Sequence, residues 1–98
     1  MSRDIHSKST DTLFDAICSL KDREECYRFF RDVCTPGEIE AIAQRFEVAG
    51  MLLKKHTYQE IVSKTGVSTA TISRVNRSLE DSDGFYETIF GRLAADKE

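Results

Sequence analysis

Apolar residues recur along this chain at spacings of three and four, and no segment sustains an alternation of period two. Leu13, Phe14, Ile17 and Cys18, with Leu20 just beyond, form one helical face. Asp22, Glu24 and Glu25 open a second helix that carries Tyr27, Phe29, Phe30 and Val33. Acids in a first turn suit the positive end of the helix dipole. Thr35-Pro36-Gly37-Glu38 is a strong start signal: a capping hydroxyl, a proline at the first helical position and a glutamate that closes a capping box. The third helix should run to about Lys55. Ile39, Ile42, Ala43, Phe46 and Leu53 share one stripe, and Val48 and Leu52 lie off it, so this helix packs on several sides. Gly50 inside it costs up to about 1 kcal/mol in propensity against alanine, and gives a neighbouring helix room to approach.

Thr57-Tyr58-Gln59-Glu60 is a second capping box, followed by a short helix with Ile61 and Val62 that ends near Gly66. Ser68 caps a further helix from Thr69 to about Leu79, with Ile72, Val75 and Leu79 on one side. Ser82-Asp83-Gly84 breaks it, and Phe85, Tyr86, Ile89, Phe90 and Leu93 make a last helical face. The expectation is an all-α chain of six helices. One domain at 11–93 would lie between a flexible polar tail at 1–10 and a polar tail at 94–98.

Composition narrows the class. With 98 residues, 40% of them hydrophobic and 32% charged, the chain is too apolar for disorder and long enough for one domain. No apolar run approaches the roughly 20 residues that span a bilayer, and the first ten residues lack the apolar segment of a secretory signal. Cys18, Cys26 and Cys34 are odd in number and form no C-x-x-C pair, which fits reduced, buried or half-buried thiols in a cytoplasm. His6 and His56 stand apart from any ligand cluster, so no metal is expected. No nucleophile–base pair or phosphate loop stands out, and Cys34 reads as a structural cysteine at a helix junction. An enzyme is not expected.

The net charge is -3. Between residues 54 and 78, however, Lys54, Lys55, Lys64, Arg74 and Arg77 face a single acid, Glu60. A basic stretch in an acidic protein reads either as a localised phosphate-binding face or as a solvated surface that happens to be basic. The sequence inside it decides between them. Glu60 to Arg77 has the layout of a helix-turn-helix at about 58–79. Gly66 permits the positive φ of a sharp stop, Val67 fills the angle between the helices, and Ser68 caps the second helix at once. Ile61, Val67, Ile72 and Val75 form the small core that sets the crossing angle. Val62 departs from the usual pattern, which keeps a small residue there. The second helix would then enter a major groove. Thr69, Ala70, Thr71 and Ser73 would meet base edges or bridging waters. Lys54, Lys55, Lys64 and Arg77 would meet phosphates, and Ser68 and Arg74 complete the candidate DNA-binding set. An ordinary helical hairpin has the same caps singly, but not their conjunction inside the one basic segment.

Thr35-Pro36-x-Glu38-x-Glu40-Ala41, Arg45, Ala70-Thr71-Ile72-Ser73-Arg74 and Ser78-Leu79 resemble the Trp repressor family over about residues 33–80, and the short-armed form resembles its YerC/YecD-type branch. The resemblance implies an intertwined homodimer that binds double-stranded DNA as a transcriptional repressor. It also implies an effector site: arginines at Arg45 and Arg74 that sandwich an indole, a serine at Ser78 that assists the carboxylate, and a threonine at Thr35 near the amino group. Val75 departs from the family's glycine and would intrude on the indole. Regulation independent of tryptophan is therefore expected, with no cofactor or at most a smaller amino-acid-like corepressor. Arg45 reads equally as a surface or intersubunit ion-pair partner, and Arg74 as a phosphate contact. The competing reading of the whole chain is a helical protein-interaction adaptor that keeps the fold without operator binding.

Overall fold

The computed structural model describes residues 4–96 and forms six helices, with no strand among the described residues. They are α1 (Lys8–Cys18), α2 (Arg23–Val33), α3 (Pro36–Leu53), α4 (Tyr58–Thr65), α5 (Thr69–Asp81) and α6 (Phe85–Asp96). The chain divides into two compact units between Ile39 and Glu40.

In the first unit, α1 starts at Lys8 because the Ser7 hydroxyl oxygen accepts from the Thr10 N–H at 3.0 Å. Residues 8–10 were expected in a polar tail and are helical instead. Their turn carries no apolar residue, so periodicity passed over it. Residues 1–3 of that expected tail lie outside the described residues. Asp22 caps α2, its carboxylate accepting from the Glu25 N–H at 2.9 Å, while Glu25 accepts from the Lys21 N–H at 2.9 Å. No described residue of this unit is buried in the single chain. Leu13, Phe14, Tyr27 and Val33 are all exposed. Cys34 is half-buried, as expected, but Cys18 and Cys26 are exposed, because their helices have no in-chain core to enter.

The second unit holds the core: Val48, Ala49 and Met51 of α3, Ile61 of α4, Val67 of the turn, and Ile72 and Val75 of α5. Leu52, Tyr58, Leu79, Tyr86 and Phe90 pack around it. The stripe expected on α3 is not its buried face. Ile42 and Phe46 are 54% and 37% exposed, while Val48 and Ala49 have no exposed surface. The in-chain neighbours of α3 cover its other side. Phe46 stacks on Phe90 of α6, ring centroids 4.5 Å apart. A Cβ at Gly50 would come within 3.0 Å of the Phe90 ring, so the absent side chain is what admits α6.

Helix α3 stops at Leu53, two residues before the expected end. Lys55 takes the left-handed conformation, φ 67°. Its N–H donates to the Leu52 carbonyl at 3.0 Å and the His56 N–H to the Met51 carbonyl at 3.1 Å, closing the last turn in the manner of a Schellman motif. Helix α5 runs on to Asp81 and α6 to Asp96, so residues 94–96, expected in a tail, are helical. Residues 97 and 98 lie outside the described residues.

Candidate nucleic-acid interface

Helix α4 begins at a complete capping box. The Thr57 N–H donates to Glu60 Oε1 at 2.7 Å, and the Glu60 N–H to Thr57 Oγ1 at 3.1 Å. The hydrogen bonds from the Thr57 backbone and then its side chain hold the Glu60 carboxyl below its ordinary value of 4.5, with a smaller contribution from His56. The helix ends at Gly66, φ 76°, whose N–H donates to the Val62 carbonyl at 2.8 Å. Thr65 braces the turn from both sides. Its hydroxyl donates to the Ile61 carbonyl at 2.7 Å and accepts from the Val67 N–H at 3.2 Å. The only sequence signal of this brace is a threonine two residues before the turn valine.

Ser68 opens α5, accepting from the Thr71 N–H at 3.2 Å. Below the turn, Ile61 and Ile72 are fully buried, Val75 is 5% and Val67 8% exposed. Burial of such side chains stabilises by about 1.5–3 kcal/mol each, which holds α4 and α5 at one crossing angle. Val62 is 36% exposed. The crossing rests on Ile61, so the bulk of Val62 does not obstruct it.

On the outer side of α5, Ser68, Thr69, Ala70, Arg74, Arg77 and Ser78 are exposed, and Thr71 and Ser73 are half-buried. The Thr71 hydroxyl accepts from the Ser68 hydroxyl at 3.2 Å, which makes it part of the cap. Thr69 and Ala70 have no such duty. Lys54, Lys55 and Lys64 are exposed. Among the described residues, the ion pairs are His6–Asp4, Arg31–Asp32 and His56–Glu60. None of them engages Lys54, Lys55, Lys64, Arg74 or Arg77. Among the described residues, no carboxylate pairs with these cations at close range.

The four side chains of the implied effector site are individually placed as follows. Thr35 belongs to the first unit and caps α3, its Oγ1 accepting from the Glu38 N–H at 3.1 Å while its N–H donates to Glu38 Oε1 at 2.8 Å. These two bonds, backbone first, lower the Glu38 carboxyl below its ordinary value. Arg45, Arg74 and Ser78 lie in the second unit and are exposed. The Ser78 hydroxyl lies 3.3 Å from the Tyr86 hydroxyl, a partner the sequence did not announce. Val75 is enclosed in the core beside Ile72.

Comparison with known proteins matches this arrangement. The family model described as Trp repressor protein covers residues 8–94. The uncharacterized protein YerC of Bacillus subtilis is 53% identical over 89 residues, 91% of this chain and 86% of that protein. A Trp operon repressor homolog of Chlamydia caviae is 39% identical over 82 residues, 82% of this chain and 81% of its own. The crystal structure of a TrpR-like protein from Eubacterium eligens superposes with a TM-score of 0.86 at 55% identity, over 90% of this chain and 91% of that one. Six helices in this order, a capped helix-turn-helix and a match over nearly the whole length lead to one assignment: the chain belongs to the Trp repressor family, with its near relations in the YerC-type branch.

Proposed function

We propose that the protein is a sequence-specific DNA-binding transcriptional regulator that acts as a homodimer. The observation that carries this reading is the outer face of the N-terminal half of α5, where Thr69, Ala70 and Arg74 are exposed, fixed by a buried four-residue core and set among cations that none of the ion pairs among the described residues engages. Short polar side chains at Thr69, Thr71 and Ser73 suit base edges and waters in a major groove, and Lys54, Lys55, Lys64, Arg74 and Arg77 suit phosphates. The Chlamydia relative bears the name of a Trp operon repressor homolog, which supports repression as the output. Family membership supports regulation rather than catalysis and a twofold assembly. Exposed apolar side chains at Leu13, Phe14, Tyr27 and Val33 call for a covering surface, and a second copy supplies one.

Tryptophan is not the effector in this reading. Arg45, Arg74, Ser78 and Thr35 retain the family's polar groups, but Val75 replaces the open floor of the indole pocket. Val67 fills the inter-helix angle, so little is left for a ligand to reorient. No helix among the described residues is long and apolar enough to cross a membrane. Free thiols at Cys18 and Cys26 suit a reducing cytoplasm.

Selection of bound duplexes from a random pool, with and without free amino acids and across a salt series, tests the proposal. The expected result is a palindromic site with half-site centres about one helical turn apart, an affinity that falls steeply with salt, and no change with L-tryptophan. No enrichment at any salt would favour the adaptor reading. A tenfold tryptophan-driven gain in affinity would overturn the argument from Val75.

A further inference from the structure

Among the described residues, the side-chain hydrogen bonds connect positions no more than four apart, with one exception: Ser78 and Tyr86, eight apart, one on α5 and the other on α6. Helix α6 buries no residue fully. It is held through one face. Tyr86 and Phe90 are one helical turn apart and both pack on the core. Phe90 lies flat on Phe46 and fills the space over Gly50, both on α3. Tyr86 reaches α5, with its hydroxyl 3.3 Å from the Ser78 hydroxyl, longer than the usual range of about 2.5–3.0 Å for an O–H···O bond and a weak polar contact. Helix α6 therefore ties the C-terminal half of α5 to α3 through two aromatic rings and one polar contact. The α4–α5 turn governs the other end of α5. Without the second tie, the C-terminal half of α5 would be located only by apolar packing, which is not directional.

We propose that Tyr86 is a positioning residue for duplex recognition: its hydroxyl, on Ser78, sets the direction of α5 from behind while its ring rests on the core. This inference rests on the reading of the protein as a DNA-binding regulator and deepens it. It assigns a role to a residue outside the helix-turn-helix and outside the set that faces the duplex. A groove-entering helix reads bases through side chains whose positions amplify small changes in helix direction, so the loss of one directional contact is felt in affinity.

The test is a double-mutant cycle on the full chain, read as affinity for the selected duplex. Tyr86→Phe removes the hydroxyl and keeps the ring, and should weaken binding about fivefold, the scale of one neutral hydrogen bond. Ser78→Ala should weaken it by a similar factor. The double variant should lose no more than either single one, because both changes remove the same contact. Thermal unfolding of each variant should remain cooperative and well above the assay temperature, which separates positioning from loss of fold. Multiplication of the two losses to about 25-fold would mean that each side chain contacts the duplex independently, and would overturn the proposal. Unchanged affinity in Tyr86→Phe, with the native protein binding normally, would overturn it as well. If the native protein itself bound no duplex, the functional reading would fall first and this inference with it.

Discussion

The two units of the chain solve the problem of stability in opposite ways. Residues 40–96 enclose seven buried apolar side chains from three helices and a turn. Residues 4–39 hold two well-capped eleven-residue helices and the start of a third, yet none of their side chains is fully buried in the single chain. Capping fixes where a helix begins, at about 1 kcal/mol for each cap. It does not supply what keeps a helix folded, since a helix this short is marginal in water without tertiary packing. The helix-turn-helix half encloses a core of its own, although Ile42, Phe85 and Leu93 remain exposed, while the other half has apolar side chains at Leu13, Phe14, Tyr27 and Val33 exposed and no buried residue beside them.

The sharpest way to break this comparison is to cut into the core of the second unit. Ile72→Ala removes a fully buried side chain beneath α5 and should cost about 2–5 kcal/mol. The loss in a thermal or urea transition should be the same at all protein concentrations, once the concentration dependence of the native protein is allowed for. Phe14, on α1, is 45% exposed in the single chain. Phe14→Asp should therefore act through association, at about 2 kcal/mol for a charge forced into an apolar contact. Sedimentation should show a shift from dimer to monomer, and the unfolding midpoint should become more dependent on concentration. A native protein that sediments as a monomer at micromolar concentration would remove the basis for the contrast.

Smaller effects test the caps. Thr57→Ala should cost about 1 kcal/mol and loosen the start of α4. Glu60 provides the pH signature of the same cap. Its folded pKa lies below the ordinary 4.5, so it contributes stability above that value, and the contribution disappears as pH falls through the folded pKa. Protection of the α4 amides, taken relative to the intrinsic exchange rate at each pH, should fall below about pH 4.5, and Glu60→Gln should remove that step. Lys55 offers the smallest change. Its left-handed backbone is costly for lysine, so Lys55→Gly should stabilise by about 0.5–1 kcal/mol. If Lys55 meets a phosphate, the same change weakens duplex binding and lowers the salt slope by about one. Stability and affinity would then move in opposite directions at one residue.

Much of this was legible in the order of residues. Thr35, Thr57, Gly66 and Ser68 act through neighbours three or four positions away, so their hydrogen bonds could be read before any packing was known. The same locality made the helix-turn-helix readable, because Ile61, Val67, Ile72 and Val75 lie within fifteen consecutive positions. The stop of α3 at a left-handed Lys55 was not readable, since nothing in lysine favours that conformation. The cap at Ser7 has no apolar turn behind it and so leaves no periodic trace.

What the sequence by itself determined is therefore most of what short range sets: six helices, the caps at Thr35, Thr57 and Ser68, the turn geometry of the motif and the unbalanced charge between residues 54 and 78. Only the tertiary structure decided which face of α3 is buried. Two apolar faces compete there, and periodicity cannot say that Val48 and Ala49 turn inward while Ile42 remains exposed. It also decided that Gly50 serves Phe90 and that Ser78 meets Tyr86. These contacts join residues forty and eight positions apart, on different helices, and they depend on how the helices cross, which no local pattern encodes.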